Sequence, residues 1–413
     1  MAITGTSGTI TISASPPVGG GGLPLSLSAI ATGGGIPYYT ITLADAFGNP
    51  LLRLIDWVSV EWAWVEMNVG SLTLVLPGYI PETVIAINRG MVVVERGLGS
   101  APPALLNGTI YLRTAWDKQW RRTENGFEKV WVITCQDLNL CLEDRYVDYN
   151  AGSGYTSKLD EADNMLKAVV RENHGSLALD TTRSITSILD VEADVSAAPI
   201  VRKSFSRRKV LPVLQEIAKA SFQRGTYVSF DVVCKTQPGA GSAFKAEFRT
   251  YTGQRGMDHR VPGGNPPILI GPDFGNLDDP RLSYDAREAA TRAIVGGDGE
   301  EELRAVAREN DLARQYLTPW GPIEHFEDSR QEGDATALQD EARSLIKLMR
   351  PRRTLSGNIV QTAGLIYGLN FGRGDYVTAQ MDGMAFDARL SALKGSKNRD
   401  GPEQLEAIFM AES

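Results

Sequence analysis

The chain has 413 residues, of which 42% are hydrophobic and 22% charged, and its formal net charge at pH 7 is −8. This composition is typical of a globular protein and excludes a collagen, a largely disordered chain and a small disulfide scaffold. At about 100–200 residues per domain, the length predicts two to four domains. The acidic balance gives no general reason to expect nucleic-acid binding. The sequence has neither a secretion signal nor a run of about 18 apolar residues, so we expect no membrane span.

Charge is distributed unevenly along the chain. Residues 199–260 hold 12 Lys and Arg against 4 Asp and Glu, residues 273–346 hold 8 against 18, and residues 347–399 hold 9 against 3. Segments of opposite charge could dock the domains of one chain, or copies of the chain, against one another. Each segment could equally be a solvated face, and the sequence leaves both interpretations open.

The beginning of the chain has the composition of an arm. The first 44 residues contain no charged side chain, and glycine runs occupy residues 19–22 and 33–35. Such a segment buries too little apolar area to offset the backbone entropy lost on ordering, about 1–2 kcal/mol per residue. We therefore predict an uncharged Gly- and Ser-rich arm over residues 1–37. The alternation over residues 9–12 favours a strand that adds to a neighbour's sheet edge, and a flexible tail is the alternative.

Strand patterns dominate residues 38–150. Apolar and polar residues alternate over residues 58–64 and again over residues 72–76, which predicts a half-buried antiparallel hairpin. We expect these strands to belong to a first β-barrel hub domain that covers residues 38–150. Further strands are predicted at residues 84–87, 91–95, 109–114 and 129–135.

Helices enter after residue 150. Ser157 begins a capping-box pattern, and apolar residues follow at helical spacing as far as His174, which predicts a helix within an α/β domain over residues 151–205. A second amphipathic helix is predicted over residues 208–224 and is ended by a glycine. With strands at 227–234 and 243–251 and the proline-rich loop 254–280, this helix forms a predicted domain over residues 206–280.

The last predicted domain covers residues 281–413. A Gly-Gly-Asp-Gly turn at residues 296–299 predicts an acidic hairpin, with strands over residues 289–295 and 301–307. A helix is predicted over residues 334–349, where a proline stops it. C-terminal strands are predicted at residues 376–381, 385–393 and 404–410. The expected fold class is α+β, predominantly β.

The sequence contains no recognisable catalytic or metal-binding motif. P-loop, dinucleotide-binding, zinc-protease, EF-hand and nucleophile-elbow patterns are all missing from it. Three cysteines without C-x-x-C spacing are expected to be small buried apolar residues, and three histidines in separate segments are expected to be solvated or to cap helices. We therefore predict no catalytic residue, no cofactor-binding residue and no metal ligand. The three cysteines are Cys135, Cys141 and Cys234, and the three histidines are His174, His259 and His325.

Several weaker candidates remain. The tripeptides that begin at Asn107 and Arg373 spell a glycosylation sequon and an integrin-binding sequence, and we expect both to be turns. The acidic pair Asp278–Asp279 and the neighbours Asp258–His259 are expected by chance in an acidic chain, and sequence alone shows no apolar pocket around either.

A basic cluster and a tryptophan pair could each serve binding. The cluster Arg202, Lys203, Arg207, Arg208 and Lys209 lies at a helix start without interleaved aromatic residues, which favours an interface or a solvated face over phosphate binding. The tryptophan pair is Trp116 and Trp120. If exposed, these two side chains could bind a glycan, but we expect them to pack under the barrel.

Five strings together resemble a siphophage tail protein family, the baseplate-hub proteins that close the distal end of the tail tube. The resemblance covers about residues 38–410, in order, and its strings are structural rather than catalytic. They are residues 70–77 (GSLTLVLP), 210–233 (VLPVLQEIAKASFQRGTYVSFDVV), 248–260 (FRTYTGQRGMDHR), 296–300 (GGDGE) and 364–390, which end in GDYVTAQMDGMAFDARL.

This resemblance implies two small β-barrel-like torus domains per chain, separated by α/β material. Three chains would then form a pseudo-hexameric ring that matches a hexameric tail tube. The implied partners are further copies of the chain in a homotrimer, the distal tail protein or tail-tube ring, other tail-tip, baseplate or fibre proteins, and a tape-measure protein. No catalytic residue and no cofactor is implied. The protein is expected in the virion, at the tail tip or baseplate, after synthesis in the bacterial host cytoplasm.

Two other functions stay open at this point. A tail-associated hydrolase that degrades peptidoglycan would need a carboxylate in an apolar pocket. A host-receptor or glycan-binding tail module would need exposed aromatic side chains such as Trp120.

Overall fold

The computed structural model describes residues 5–6, 9–10, 37–99, 102–123, 126–148, 156–205, 207–239, 243–261, 265–299, 303–317, 319–329, 335–362 and 364–411. Its α-helices are α1 (Glu82–Ile85), α2 (Leu140–Glu143), α3 (Ala162–His174), α4 (Val210–Gln223), α5 (Leu312–Gln315) and α6 (Ala335–Leu348). The first ten strands are β1 (Gly5–Thr6), β2 (Thr9–Ile10), β3 (Tyr38–Ala44), β4 (Pro50–Leu54), β5 (Ser59–Val65), β6 (Ser71–Pro77), β7 (Met91–Gly97), β8 (Ala104–Leu105), β9 (Tyr111–Thr123) and β10 (Gly126–Asp137).

Strands also dominate the rest of the chain, which confirms the predicted α+β, predominantly β fold class. The next seven are β11 (Thr156–Glu161), β12 (Leu189–Val191), β13 (Ile200–Phe205), β14 (Val228–Thr236), β15 (Lys245–Thr252), β16 (Leu269–Ile270) and β17 (Leu277–Asp285). The last seven are β18 (Arg292–Gly296), β19 (Val306–Asn310), β20 (Glu324–Asp328), β21 (Arg352–Ile359), β22 (Tyr376–Met381), β23 (Met384–Asn398) and β24 (Glu403–Ala411).

One 14-stranded sheet joins the two β-rich regions of the chain. Its strands follow the order β17-β21-β24-β23-β5-β6-β10-β9-β7-β3-β4, with β8, β16 and β22 paired at its sides. The N-terminal and C-terminal strands meet where β5 pairs antiparallel with β23, from Ser59 opposite Asn398 to Val65 opposite Ala392. The closure of either region into a barrel stays a prediction, as do the domain boundaries at residues 150, 205 and 280.

Both parts of this sheet bury their apolar residues in one core. The alternation in β5 turns Val60, Trp62 and Trp64 inward, and β6 follows the same two-residue period. This confirms the hairpin predicted from that alternation. C-terminal strands complete the core with Leu390, Leu393, Leu405, Ala407 and Phe409.

A second core lies between two helices and a small sheet. Helices α3 and α4 contact each other, and α3 contacts β15 of the sheet β12-β15-β14. The apolar face of α4 is buried as its periodicity predicts, with Val210, Leu214 and Ile217 fully inside. The helix predicted over residues 208–224 is thus confirmed and begins at Val210.

A third, smaller core belongs to the acidic C-terminal segment. Strands β19-β18-β20 form a sheet on which α6 packs through Leu338, Ala342 and Leu345. The predicted hairpin is present, although its second strand begins at Val306 rather than at residue 301. The helix predicted over residues 334–349 corresponds to α6.

Two local predictions are wrong because tertiary context overrides the pattern. Residues 84–87 are predicted as a strand, but they lie at and after the end of the one-turn helix α1. This helix starts after Pro81, and the Pro81 carbonyl accepts a hydrogen bond from the Val84 amide at 3.0 Å. The capping-box pattern at Ser157 is not a helix start, since residues 156–161 form β11 and pair along their whole length with β13. The helix begins only at Ala162.

The predicted arm lies largely outside the described residues. Within residues 1–36, only Gly5–Thr6 and Thr9–Ile10 are described, and these two short strands pair antiparallel with each other. The role proposed for the arm therefore stays a prediction. No helix in the part of the chain that the structure describes is long and apolar enough to cross a membrane.

Candidate functional site

A buried ion pair ties the N-terminal strand β7 to the C-terminal strand β24. Arg96 donates from Nε to Oε1 of Glu403 at 2.8 Å and from Nη2 to Oε2 at 2.6 Å. The side chains are only 6% and 1% exposed, so this two-point pair is removed from solvent. Charged hydrogen bonds of this geometry are stronger and more directional than neutral ones, and they fix the relative position of the two strands.

Polar groups around this pair satisfy its remaining hydrogen-bonding capacity. Tyr39 donates its hydroxyl to Glu403, and Gln361 donates to the same carboxylate at 2.8 Å. Nη1 of Arg96 donates to the carbonyl of Tyr367 at 2.7 Å. The Tyr367 hydroxyl in turn donates to Asn107 at 2.6 Å. The network therefore runs from β3 through β24 to the loop before β22.

A second buried charge cluster is centred on Asp231 in β14. Its carboxylate accepts hydrogen bonds from Arg255, from Nη1 of Arg373 at 3.0 Å and from the side-chain amide of Asn139 at 2.9 Å. The Asn139 side-chain oxygen accepts from the Val232 amide at 2.9 Å. Asp231 thus connects the sheet β12-β15-β14 to the end of β10, through Asn139, and to the loop before β22, through Arg373.

Aromatic rings line this cluster. The guanidinium of Arg255 lies 5.4 Å from the centroid of Trp64 and 4.8 Å from that of Tyr251, and that of Arg373 lies 5.8 Å from Trp64. Cations over aromatic faces gain electrostatic stabilisation while they are kept from water. The cluster is therefore a packed junction and not an open cleft.

A third contact fixes the loop that follows β15 against the C-terminal strands. Asp375 accepts from the Met257 amide at 2.6 Å and from the Gly372 amide at 2.7 Å, and its carboxylate lies 3.6 Å from Nε2 of His259. The Nδ1 of His259 donates to the carbonyl of Pro266 at 2.8 Å. Buried carboxylates that accept backbone N–H groups in this way hold loops in one conformation.

The ionisation of these carboxylates depends on the partners each one has. Burial raises the pKa of Asp231, but the charges of Arg255 and Arg373 outweigh burial and hold the pKa below its ordinary value. The pKa of Glu403 is lowered in the same way, because the hydrogen bond and charge of Arg96 exceed the effect of burial. Asp137 has no such partner, and burial together with the negative charge of Asp231 raises its pKa to about 7.

Four of the five strings that carried the sequence resemblance meet at this junction. String 210–233 supplies Asp231, string 248–260 supplies Arg255, and string 364–390 supplies Arg373. String 70–77 begins at Gly70, where a β-carbon would lie 2.5 Å from Oδ2 of Asp137. Glycine is therefore required at that position by close approach, and the strings are explained as parts of one structural contact.

This site is suited to holding segments together and not to chemistry. A catalytic carboxylate or base must reach a substrate, whereas the carboxylates of Asp231, Glu403 and Asp375 are buried and bonded within the chain. Among the described residues, no group of three or more His, Cys, Asp or Glu side chains could hold a metal ion.

The structure corrects the sequence interpretation of the histidines and qualifies that of the cysteines. His174 and His259 are buried rather than solvated, although His174 is the last residue of α3, the helix-end position that the prediction also allowed, and burial lowers the pKa of His174 to about 4. The three cysteines are free, Cys135 is fully buried, and Cys141 and Cys234 are partly buried. Burial raises the pKa of the Cys135 thiol to about 12, so it is inert as a nucleophile.

The two predicted turns also have a larger role than expected. The turn at residues 373–375 supplies Arg373 and Asp375 to the junction, and Asn107 in the other turn bonds to Tyr367. These roles were not predicted from the sequence, although Arg373 lies within the string 364–390 that resembles the family. The signal was the proximity of a charged residue to glycines in a segment that resembles a known family.

The basic cluster and the tryptophan pair lie in different surroundings. Arg208 pairs with Glu216, and Lys209 lies 2.5 Å from Glu143, so both are used inside the chain. Trp116 contacts the ring of Trp131 edge-on and is 39% exposed, and Trp120 is 65% exposed. The prediction that both tryptophans pack under the barrel is wrong for Trp120, because the strand that carries it extends beyond the core.

The fold and the site define a β-rich structural protein in which buried charges lock N-terminal and C-terminal strands into one sheet. The chain belongs to the family of Siphovirus ReqiPepy6 Gp37-like proteins, whose model matches residues 49–409. The expected membership of a siphophage tail protein family is thereby confirmed. No curated protein sequence matches the chain.

The fold is shared with solved structures of tail proteins, three of which follow. The tail protein from Neisseria meningitidis MC58 is 12% identical with a TM-score of 0.53, and the match covers 91% of this chain and 97% of that one. Prophage tail protein gp18 from Listeria monocytogenes EGD-e is 12% identical with a TM-score of 0.52, covering 89% and 94%. The 43 kDa tail protein of prophage MuSo2 from Shewanella oneidensis is 12% identical with a TM-score of 0.52, covering 90% and 97%.

Proposed function

We propose that this protein is the baseplate hub or tail-tip protein of a phage or phage-like particle, and that three copies form a pseudo-hexameric ring at the distal end of the tail. The single observation that carries the proposal is the pairing of β5 with β23. A threefold ring that matches a sixfold tube needs two β units per chain in a fixed relation. On each side of this pairing the sheet continues through a hairpin, β5–β6 on one side and β23–β24 on the other.

The buried ion pairs support a structural role for this relation. Arg96–Glu403 and Arg373–Asp231 each join segments that are distant in sequence, and the carboxylates of both pairs are almost wholly removed from water. Such pairs specify one arrangement of the segments, because any other arrangement leaves a buried charge without its partner. A ring component needs this kind of fixed geometry more than it needs reactivity.

The proposed partners follow from a position at the end of the tube. They are two further copies of the chain, the distal tail protein or tail-tube ring above, and other tail-tip, baseplate or fibre proteins below, with the tape-measure protein inside. The proposed location is the virion tail tip, and the proposed function includes no enzymatic activity. A zymogram against bacterial cell walls tests the latter, and a cleared zone would contradict it.

The stoichiometry is the direct test. Cryo-electron microscopy of purified tails should show three copies with threefold symmetry at the distal end and two β units of each copy around the axis. Sedimentation of the purified chain over a concentration series should show a monomer–trimer equilibrium, since ring closure depends on protomer concentration. A ring of six copies, each with one β unit at the axis, would contradict the proposal.

A further inference from the structure

The β9–β10 ribbon extends beyond the sheet that anchors it. The two strands pair from Tyr111 opposite Asp137 out to Thr123 opposite Gly126. However, β10 has its second neighbour β6 only from Val130 onward, and β9 contacts β7 only at its first two residues. Only residues 120–123 of β9 and residues 126–129 of β10 are therefore two-stranded, while residues 114–119 form a sheet edge beside β10, and residues 114–122 are exposed. A two-stranded ribbon is marginally stable in water and presents an open strand edge.

One face of this ribbon alternates aromatic rings with cations. Register places Lys118 opposite Trp131, Trp120 opposite Lys129 and Arg122 opposite Phe127. Nζ of Lys118 lies 4.2 Å from the Trp131 centroid, and Nζ of Lys129 lies 4.9 Å from that of Trp120. We call this surface the ribbon face and define it by Trp116, Lys118, Trp120, Arg122, Phe127 and Lys129.

The ribbon face has the chemistry of a contact surface. Its six residues include three cations and three aromatic rings and no carboxylate. The carboxylate of Glu128 lies on the opposite face, where it pairs with Arg121. A partner that fits the ribbon face must therefore carry negative charge together with apolar groups.

The segment from α5 to β20 has the complementary character. Tyr316, Leu317 and Trp320 are 81%, 84% and 90% exposed, and Phe326 on β20 is half-exposed. Side chains this large are seldom exposed together on a monomer unless they serve a contact. The surrounding sequence, residues 292–328, holds 9 Asp and Glu against 4 Lys and Arg. We call this segment, residues 312–317 and 319–328, the acidic apolar surface. Its own carboxylates are Glu324, Glu327 and Asp328, of which Glu324 pairs with Arg292 and Asp328 with Arg304 within the chain.

Resting on the proposed function, we propose that the ring closes by contact of the ribbon face of one copy with the acidic apolar surface of the next. A cyclic assembly requires head-to-tail contacts between two different surfaces of the same chain. Both surfaces are exposed within a single chain, so neither is covered by the other there. Their charges are opposite, and each offers exposed aromatic rings. A second copy of this chain therefore satisfies both surfaces at once.

Charge reversal and its compensation test this contact in the full-length chain. The variant K118E/R122E/K129E reverses the ribbon face, and E324K/E327K reverses the acidic apolar surface. We expect either variant to raise the trimer dissociation constant at low salt by about 100-fold or more, because like charges then face each other. A chain that carries both sets should regain most of the wild-type affinity. Sedimentation equilibrium measures all three.

Matched controls separate this effect from misfolding and from total charge. Gln119→Glu adds a negative charge to the opposite face of the same ribbon and should leave the dissociation constant within about twofold. Circular dichroism should be unchanged and Tm should change little in every variant, since the substituted side chains are exposed or half-exposed and Glu324→Lys removes only a partly exposed pair with Arg292. Leu317→Ser with Trp320→Ser removes the apolar part alone and should weaken the trimer at both low and high salt, where charge steering is screened.

The outcomes divide clearly. If the wild type forms a trimer and the charge-reversed variants form it equally well, the inferred contact is wrong while the proposed function stands. If the wild type forms no trimer either in solution or in purified tails, the proposed function fails and the contact with it. If an oligonucleotide or a soluble oligosaccharide quenches Trp120 fluorescence while the reversed variants still form trimers, the ribbon face belongs to that ligand and the inference is overturned.

Discussion

Arg96 and Glu403 lie 307 residues apart in sequence and form a two-point hydrogen-bonded ion pair inside the protein. The pair connects β7 in the N-terminal part of the sheet to β24 in its C-terminal part. Its environment also contains Tyr39, whose pKa is raised well above the ordinary value by burial and by the adjacent Glu403 charge. The pair therefore acts as a neutral, fully bonded unit whose loss should be felt by both halves of the sheet.

Removal of one partner should destabilise the protein strongly. Glu403→Ala leaves the Arg96 guanidinium buried without its counter-charge, and we expect a loss of about 3–5 kcal/mol in the free energy of unfolding, measured by urea denaturation. Glu61→Ala is the matched control, because Glu61 forms an exposed pair with Lys394 at 2.8 Å and should cost less than about 1 kcal/mol. Equal losses in the two variants would contradict the structural role of the buried pair.

The α4 core gives a second stability prediction. Leu214 is completely buried between the helices and the sheet, so Leu214→Ala should cost about 2–5 kcal/mol through lost transfer energy and the cavity left behind. Lys219 lies on the exposed face of the same helix, and Lys219→Ala should change the free energy of unfolding by less than about 0.5 kcal/mol. Thermal denaturation of both variants distinguishes a buried helix face from a solvated one.

Asp137 should make the protein less stable as pH rises. Its pKa is about 7 in the folded chain, against about 3.9 in the unfolded chain, so between these values the folded state binds more protons. The contribution of Asp137 to the free energy of unfolding should therefore fall from pH 4 to pH 7. Asp137→Asn keeps an oxygen that can accept from the Asn139 amide, abolishes this slope and should be more stable than wild type at pH 8 by about 2–4 kcal/mol. A variant with an unchanged slope would refute this assignment.

His174 should act in the opposite direction over nearly the same range. Burial lowers its pKa to about 4, so the unfolded chain takes up a proton near pH 6.5 while the folded chain does not. This contribution to stability is present above pH 6.5 and is lost as pH falls towards 4, by about 3 kcal/mol. His174→Gln can still donate towards the Cys141 carbonyl, which His174 contacts at 2.9 Å, and it should remove the loss. Urea titrations at pH 4.5 and pH 7 give the free energy of unfolding of the wild type and of His174→Gln. The same change with pH in both proteins would contradict the prediction.

Local pattern was sufficient wherever one face of an element is buried. The alternation in β5 and β6, the apolar face of α4 and the helix α6 were all predictable, because a two-residue or 3.6-residue period directly reports which side chains face a core. The absence of catalytic motifs in the sequence, and the strings that resemble a siphophage tail family, were likewise visible without coordinates. They indicated a structural protein before any contact was known.

Only the tertiary structure decided which distant segments meet. Ser157 begins a helix by local rule, yet residues 156–161 become a strand because β13 supplies backbone partners along their whole length. Arg373 looks like a turn residue, and its role follows from Asp231, which lies 142 residues away in sequence. The outer ribbon with Trp120 lies outside the strands predicted at residues 109–114 and 129–135 and extends past the core that would have covered it. Periodicity states which face of an element is apolar, whereas long-range pairing decides what, if anything, covers that face.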